Sequence, residues 1–96
     1  MRFEYAARFE DTLRRVPAHD QRRTAETIEQ RVRYFETRQA PQGLGLKKLN
    51  HGHGGAVLEA RISRARRLLF IVRQDVVLFA MVGNHEDVRR FIRSFQ

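Results

Sequence analysis

The chain has 96 residues, of which 42% are hydrophobic, so we expect one small domain over residues 1–96 with one modest core. The net charge of +8 favours a nucleic acid, an acidic protein or an anionic membrane surface as partner. Cysteine is absent, which excludes disulfides and thiolate catalysis, and no apolar run reaches the length of a membrane-spanning helix. The first residues lack the apolar stretch of a secretory signal, so a soluble cytoplasmic protein with no membrane contact is expected.

The N-terminal half is predicted to contain a short strand and two helices. Phe3 and Tyr5 alternate with charged residues, which is typical of an edge strand with one buried face. A short helix then ends before Pro17, because proline disfavours helix in the preceding residue. Asp20 is predicted to cap a longer second helix. The apolar positions are Phe9, Leu13 and Val16 in the first helix, and Ala25, Ile28, Val32 and Phe35 in the second.

The pattern changes to strand periodicity after Pro41, and short connections favour an antiparallel meander of four strands. A loop over His51–Gly55 separates the first two strands. The last strand is apolar on both faces, as expected of an interior strand covered by helices. The predicted strands are a short one containing Lys47 and Lys48, followed by Val57–Ile62, Leu68–Arg73 and Val76–Val82.

A final helix is predicted after Gly83, which permits a sharp turn. Asn84 can cap this helix, and Glu86 and Asp87 suit its electropositive first turn. His85 lies at the junction, where a strand end meets a helix N-terminus and where functional side chains are often held. The predicted buried stripe of this helix is Val88, Phe91, Ile92 and Phe95. The complete pattern predicts a small α+β domain: an N-terminal strand and a two-helix hairpin packed on a four-stranded meander, followed by a short helix.

One carboxylate stands alone among cations in the strand region. Between Glu36 and Asp75 the only acidic residue is Glu59, and the flanking strands carry many arginines and lysines. Arginine forks match phosphate oxygens, and one carboxylate among them can orient a guanidinium or move a proton. The alternative is a solvated basic face with one ion pair.

The order of elements and three short segments resemble the RelE/ParE superfamily of bacterial toxins. These segments are Leu58–Ile62, Arg66–Phe70 and Val82–Val88. The resemblance covers nearly the whole chain and implies the toxin of a toxin–antitoxin pair. In the RelE-like branch such a toxin is an endoribonuclease that cuts messenger RNA in the ribosomal decoding site. The ParE-like branch instead inhibits DNA gyrase.

The resemblance also implies roles for four residues. Arg61 would bind the scissile phosphate, and Arg67 would stabilise the negative charge of the transition state. His85 would accept the 2'-hydroxyl proton or protonate the leaving 5' oxygen. Because the surrounding cations favour its ionised form, Glu59 is predicted to orient Arg61, although in some members a glutamate on this strand acts as the base.

The sequence departs from the RelE-like pattern in the C-terminal helix, where many members carry a tyrosine that acts on the substrate. Here the aromatic residues are Phe91 and Phe95, which fit the core and cannot transfer protons. His85, His51 and His53 are the candidate substitutes. His51 and His53 lack a third ligand for zinc, so no metal or cofactor is predicted, and their glycine-rich loop either contacts the substrate or is inert.

The remaining cations are predicted to position nucleic acid or to form a solvated face. They are Lys47, Lys48, Arg64, Arg66 and Arg73. The implied partners are messenger RNA, the ribosome and an acidic antitoxin that covers the basic sheet and the helical hairpin. The alternatives are a gyrase-inhibiting toxin and an inactive member that only binds an antitoxin or nucleic acid.

Overall fold

The computed structural model describes residues 1–37, 47–52 and 55–95 and contains five strands and three helices within those ranges. In chain order, they are β1 (Arg2–Tyr5), α1 (Ala7–Arg14), α2 (Ala18–Thr37), β2 (Lys47–Gly52), β3 (Gly55–Arg61), β4 (Arg67–Arg73), β5 (Val76–Gly83) and α3 (His85–Phe95). No helix in this part of the chain is long and apolar enough to span a membrane.

The strands form one mixed sheet in the order β1-β5-β4-β3-β2. Strands β2 to β5 pair antiparallel in sequence order, which confirms the predicted meander. Strand β1 joins its edge by pairing in parallel with β5. The predicted α+β fold class is therefore confirmed, and the N-terminal strand is a fifth member of the same sheet.

The larger core lies between the sheet and helices α1 and α2. Phe70 of β4 and Phe79 of β5 are fully buried, and their ring centroids are 5.9 Å apart. Phe35 of α2 meets Phe70 edge-on, and Phe9 of α1 packs on Phe79. Buried aromatic pairs of this kind contribute about 0.5–1.5 kcal/mol each beyond their buried area. They fix the helical hairpin against one face of the sheet.

The opposite face of the sheet carries α3. Leu69 and Met81 are buried beneath Val88, while Phe91 and Ile92 are half-buried against the same surface. The predicted apolar stripe of the helix is thus confirmed at these three helix positions. Because both faces of β5 are covered, its continuous apolar run is explained as predicted.

Two predictions for α2 were wrong. The helix begins at Ala18, so Asp20 lies within its first turn instead of capping it. Proline is favoured at the beginning of a helix, and Pro17 accepts the backbone hydrogen bonds that start this one. Ala25 is exposed, whereas Thr24 beside it is fully buried. Arg31 is also buried, and the loss of solvent lowers the pKa of its guanidinium.

The predicted loop over His51–Gly55 is also partly wrong. Strand β2 continues through Gly52, and β3 begins at Gly55, so the backbone of His51 belongs to a strand. Gly55 has φ +108°, and a Cβ atom there would lie 2.5 Å from the carbonyl oxygen of Val72. His53 and the helix end predicted near Pro41 lie outside the described residues.

Helix α3 begins with a reciprocal cap. The backbone N–H of Asp87 donates to Asn84 Oδ1 at 2.9 Å, and the backbone N–H of Asn84 donates to Asp87 Oδ2 at 3.0 Å. This capping box satisfies backbone donors that have no partner within the helix. The predicted cap is confirmed, and it fixes the backbone on both sides of His85.

Replacing Asn84 by alanine is expected to lower the free energy of unfolding by about 1 kcal/mol, because it removes the cap. Urea denaturation followed by circular dichroism measures the change. Ser94→Ala is the matched control, since Ser94 is exposed on the same helix and its hydroxyl donates to the Phe91 carbonyl within that helix. Equal losses in the two variants would contradict a special role for the cap.

Candidate functional site

On the face of the sheet that carries α3, three neighbouring strands place Arg61, Arg67 and Gly83 side by side. These three residues form the arginine row. Arg61 on β3 is the register partner of Arg67 on β4, and Arg67 is the partner of Gly83 on β5. Register partners project to the same face. Glu59 lies two residues before Arg61 and therefore shares that face with both arginines. The predicted grouping of Glu59, Arg61 and Arg67 is present in the structure.

The carboxylate of Glu59 pairs with Arg67. Arg67 Nε lies 3.2 Å from Glu59 Oε1, and the two side chains are 23% and 10% exposed. The predicted partner was Arg61, and that prediction was wrong. Glu59 is directly opposite Leu69, so Arg67 is its diagonal neighbour across the strand pair and within reach of a long side chain. Arg61 is exposed, and its Nε lies 3.5 Å from the carbonyl oxygen of Ser63.

The guanidinium of Arg67 is held from a second side by the turn between β3 and β4. Its Nη1 donates to the carbonyl oxygens of Ser63, Arg66 and Arg64 at 3.1, 3.3 and 3.4 Å. With Nε in an ion pair with Glu59, both ends of the planar group are in contact with oxygen atoms. Fixing the guanidinium before a ligand arrives reduces the entropy lost on binding an anion.

The turn between β3 and β4 is anchored by Asp20, which the sequence predicts only as a helix cap. Asp20 is 2% exposed, and its Oδ2 accepts from Arg66 Nη1 at 3.2 Å and from Ser63 Oγ at 3.4 Å. His19 Nε2 lies 3.2 Å from Oδ1, but outside hydrogen-bonding geometry. Pro17 is the sequence signal for this position of Asp20, because proline is favoured at the beginning of a helix. A helix that begins directly after Pro17 contains Asp20 in its first turn.

His85 is the first residue of α3 and is exposed. It follows Gly83 by two residues, and Gly83 is the register partner of Arg67. The histidine backbone therefore lies at the same end of the sheet as the arginine row. A Cβ atom on Gly83 would lie 2.8 Å from side-chain atoms of Asp87 and Met81, so a larger residue at this position would require these side chains to shift.

The other predicted cations are dispersed. Arg64 and Arg66 lie in the turn beside Arg67, whereas Arg73 ends β4 and is about 20 Å away along the strand. Lys47, Lys48 and His51 lie on β2, where Lys47 is the register partner of Glu59, and only their backbone is described. No group of three metal-ligating side chains occurs among residues 1–37 and 55–94, the ranges in which the structure describes side chains.

An open cleft of about 750 Å³ lies between α1 and α3 at this end of the sheet. Its floor includes Met81, Val82 and Phe91, and its rim includes four arginines. The Arg8 guanidinium carbon lies 5.5 Å from the centroid of the Phe91 ring. The rim arginines are Arg8, Arg15, Arg66 and Arg90, of which only Arg66 was a predicted site residue. Arg8 and Arg90 lie on α1 and α3, and Arg15 directly follows α1. The charge pattern around them is typical of a solvated helix surface.

No protein-family model and no curated protein matches the chain. Several solved structures match the chain. The RelB–RelE antitoxin–toxin complex from Methanococcus jannaschii matches with a TM-score of 0.68 and 20% identity, over 92% of this chain and 96% of that chain. This chain has the RelE toxin fold.

Two further structures share the RelE fold. A metal-bound toxin from Helicobacter pylori matches with a TM-score of 0.65 and 12% identity, and the E. coli DinJ–YafQ complex with 0.64 and 15%. Each match covers 92% of this chain and 98% of the other chain. At these identities the likeness concerns the fold alone, and it assigns no functional residue in this chain.

Within this RelE fold, Glu59→Gln is expected to lower the free energy of unfolding by about 1–3 kcal/mol, because Arg67 loses a charged acceptor in a mostly buried position. Urea denaturation measures the effect. Glu29→Gln is the control, since Glu29 pairs with Arg33 on the exposed face of α2 and its loss should change little. Indistinguishable midpoints for the two variants would contradict a structural contribution from the Glu59–Arg67 pair.

Proposed function

We propose that this protein is the toxin of a toxin–antitoxin pair and cleaves messenger RNA on the ribosome. The observation that carries the proposal is the Arg67 guanidinium, held by Glu59 on one side and by turn carbonyls on the other, beside the exposed Arg61. An anchored guanidinium next to a second cation suits a phosphate that gains negative charge during reaction. The RelE fold of the matched toxin complexes supports the same class of function.

The proposed reaction needs no metal or redox partner. The 2'-hydroxyl oxygen attacks the adjacent phosphorus, a 2'-oxygen–phosphorus bond forms, and the bond from phosphorus to the 5' oxygen breaks. One proton leaves the 2'-hydroxyl and one is delivered to the 5' oxygen. The products are a 2',3'-cyclic phosphate and a free 5'-hydroxyl.

Arg67 and Arg61 have different electrostatic roles in this mechanism. Arg67 is oriented before substrate binds, so it can stabilise the pentavalent transition state without reorganising. Arg61 is more exposed and is assigned to docking the scissile phosphate. Arg61 and Arg67 are register partners on β3 and β4, so one anionic phosphate can interact with both guanidinium groups.

His85 is assigned the proton transfer. It is exposed at the start of α3, and imidazole exchanges protons near neutral pH. Glu59 is less suited to this role, because its carboxylate is 10% exposed and already paired with Arg67. Phe91 is half-buried in the cluster beneath α3 and carries no exchangeable proton, so it does not replace the tyrosine of other RelE-like toxins.

The ribosome is proposed to supply the alignment of the RNA. The site offers few groups for holding a strand in line for attack, and correct alignment accounts for a large part of the barrier in such reactions. Free RNA should therefore be cut poorly. Action on the ribosome places the protein in the cytoplasm, and the net charge of +8 suits an acidic antitoxin as its inhibitor.

Primer extension on messenger RNA from a translating extract tests the proposal. Wild-type protein is expected to give codon-phased cuts, and both Arg67→Ala and His85→Ala should reduce their rate by about 100-fold or more. Arg22→Ala, an exposed position on α2, is the control and should retain cleavage. Circular dichroism checks that each variant is folded.

The absence of codon-phased cuts from wild-type protein would refute the nuclease proposal. If the same protein then blocked supercoiling by DNA gyrase, the chain would act as a gyrase inhibitor. If it did neither but bound an acidic antitoxin, it would be an inactive member. Cleavage that persists in His85→Ala would instead exclude only the proton-transfer assignment.

A further inference from the structure

Asp20 is an unusual residue for the interior of a small basic protein. It is 2% exposed, although ionisable side chains are rarely buried unless their charge is compensated. Removing a carboxylate from water costs several kcal/mol, and a buried ion pair often gives no net stability compared with apolar packing. The arrangement of its partners indicates what Asp20 contributes besides stability.

Both side chains that donate hydrogen bonds to Asp20 Oδ2 belong to one turn. Oδ2 accepts from Ser63 Oγ at the start of the β3–β4 turn and from Arg66 Nη1 at its end. The turn is closed by backbone bonds between the same two residues, in which Ser63 N–H donates to the Arg66 carbonyl and Arg66 N–H to the Ser63 carbonyl. One buried oxygen therefore holds both ends of the turn.

Asp20 is itself firmly placed. Its backbone carbonyl accepts from the Thr24 hydroxyl at 2.7 Å, and Thr24 is fully buried. Its backbone N–H donates to the Pro17 carbonyl at 3.0 Å. The carboxylate thus connects the start of α2 to the end of the sheet, across a sequence separation of 46 residues to Arg66.

The same turn supplies the acceptors of Arg67. The carbonyls of Ser63 and Arg66, whose side chains bond to Asp20, both accept from Arg67 Nη1. A displacement of the turn would move these oxygens, while Glu59 Oε1 on β3 would continue to hold Nε. The plane of the guanidinium would therefore rotate about its Nε end.

We propose that Asp20 is a positioning residue, which sets the orientation of the Arg67 guanidinium through the Ser63–Arg66 turn. Its consequence for catalysis rests on the proposed function, because Arg67 is assigned there to the transition state. Its consequence for geometry does not, because the orientation of Arg67 is measurable in the free protein. A misplacement of about 1 Å can cost as much as 100-fold in rate.

Two variants test the proposal. Asp20→Asn keeps the shape of the side chain but removes its charge. Ser63→Ala removes one of the two bonds and leaves the Asp20–Arg66 ion pair intact, so it remains informative if Asp20→Asn does not fold. Glu29→Gln removes an exposed carboxylate from the same helix and is the matched control.

The geometric measurement is the ¹H–¹⁵N signal of Arg67 Nε, assigned by its absence from Arg67→Ala. We expect Asp20→Asn and Ser63→Ala to shift this signal and to accelerate its hydrogen exchange, while Glu29→Gln leaves both unchanged. An unchanged Arg67 signal in a folded Asp20→Asn or Ser63→Ala protein would overturn the proposal.

The kinetic measurement is single-turnover cleavage of ribosome-bound messenger RNA at increasing toxin concentration. Asp20→Asn is expected to lower the maximal rate by about 10- to 100-fold without changing the concentration that gives half of that rate. A purely structural loss would instead lower the fraction of active protein and leave the rate of the folded fraction unchanged, which would also overturn the proposal.

Failure of the proposed function has a different signature. If wild-type protein cuts no messenger RNA, yet Asp20→Asn still shifts the Arg67 Nε signal, the positioning link stands and the nuclease assignment falls. The geometric measurement therefore decides the inference independently of activity.

Discussion

In this sheet Arg61 lies directly opposite Arg67, and the rest of the candidate site is arranged around that pair of like charges. Like charges opposite each other weaken a strand pair, and neither arginine can turn to the other face without breaking the alternation that buries Val57 and Leu69. Register therefore keeps both arginines on the same face of the sheet. It is the core on both faces of the sheet that fixes the register and holds the two cations together.

Glu59 compensates only one of these charges. Its carboxylate is committed to Arg67 by the diagonal geometry, which leaves Arg61 exposed and the local balance positive. The site thus combines Arg67, whose guanidinium is held in one orientation, with Arg61, whose exposed side chain can change its conformation. A charged group of opposite sign gains more from such a site than from two flexible surface arginines, because part of the ordering has already been completed in the folded protein.

The sequence predicted the parts of the fold that depend on short-range periodicity. The alternation of β3 puts Glu59 and Arg61 on one face, the apolar run of β5 indicates an interior strand, and Asn84 is typical of a helix cap. These features depend on neighbours within a few residues. For the candidate site, period two accounts for the shared face of Glu59 and Arg61, and the register of β3 and β4 adds Arg67 to it.

The errors have a common physical origin in contacts between distant segments. Glu59 was assigned to Arg61 because the two are neighbours in the chain, whereas the ion pair depends on the register of another strand. Asp20 looked like a surface cap because nothing near it in sequence shows that the turn 46 residues later would bury it. Thr24 and Arg31 similarly occupy a buried face that hydrophobic periodicity cannot reveal.

The parallel pairing of β1 with β5 has a consequence for how the protein forms. Arg2–Tyr5 finds its partner only in Val76–Phe79, and Phe9 packs on Phe79 of the same strand. Contacts this far apart in sequence slow folding, since a long loop must close before they form. During synthesis the first strand and helix must wait until β5 has been made. A nascent chain shorter than this would lack both the completed sheet and the candidate site.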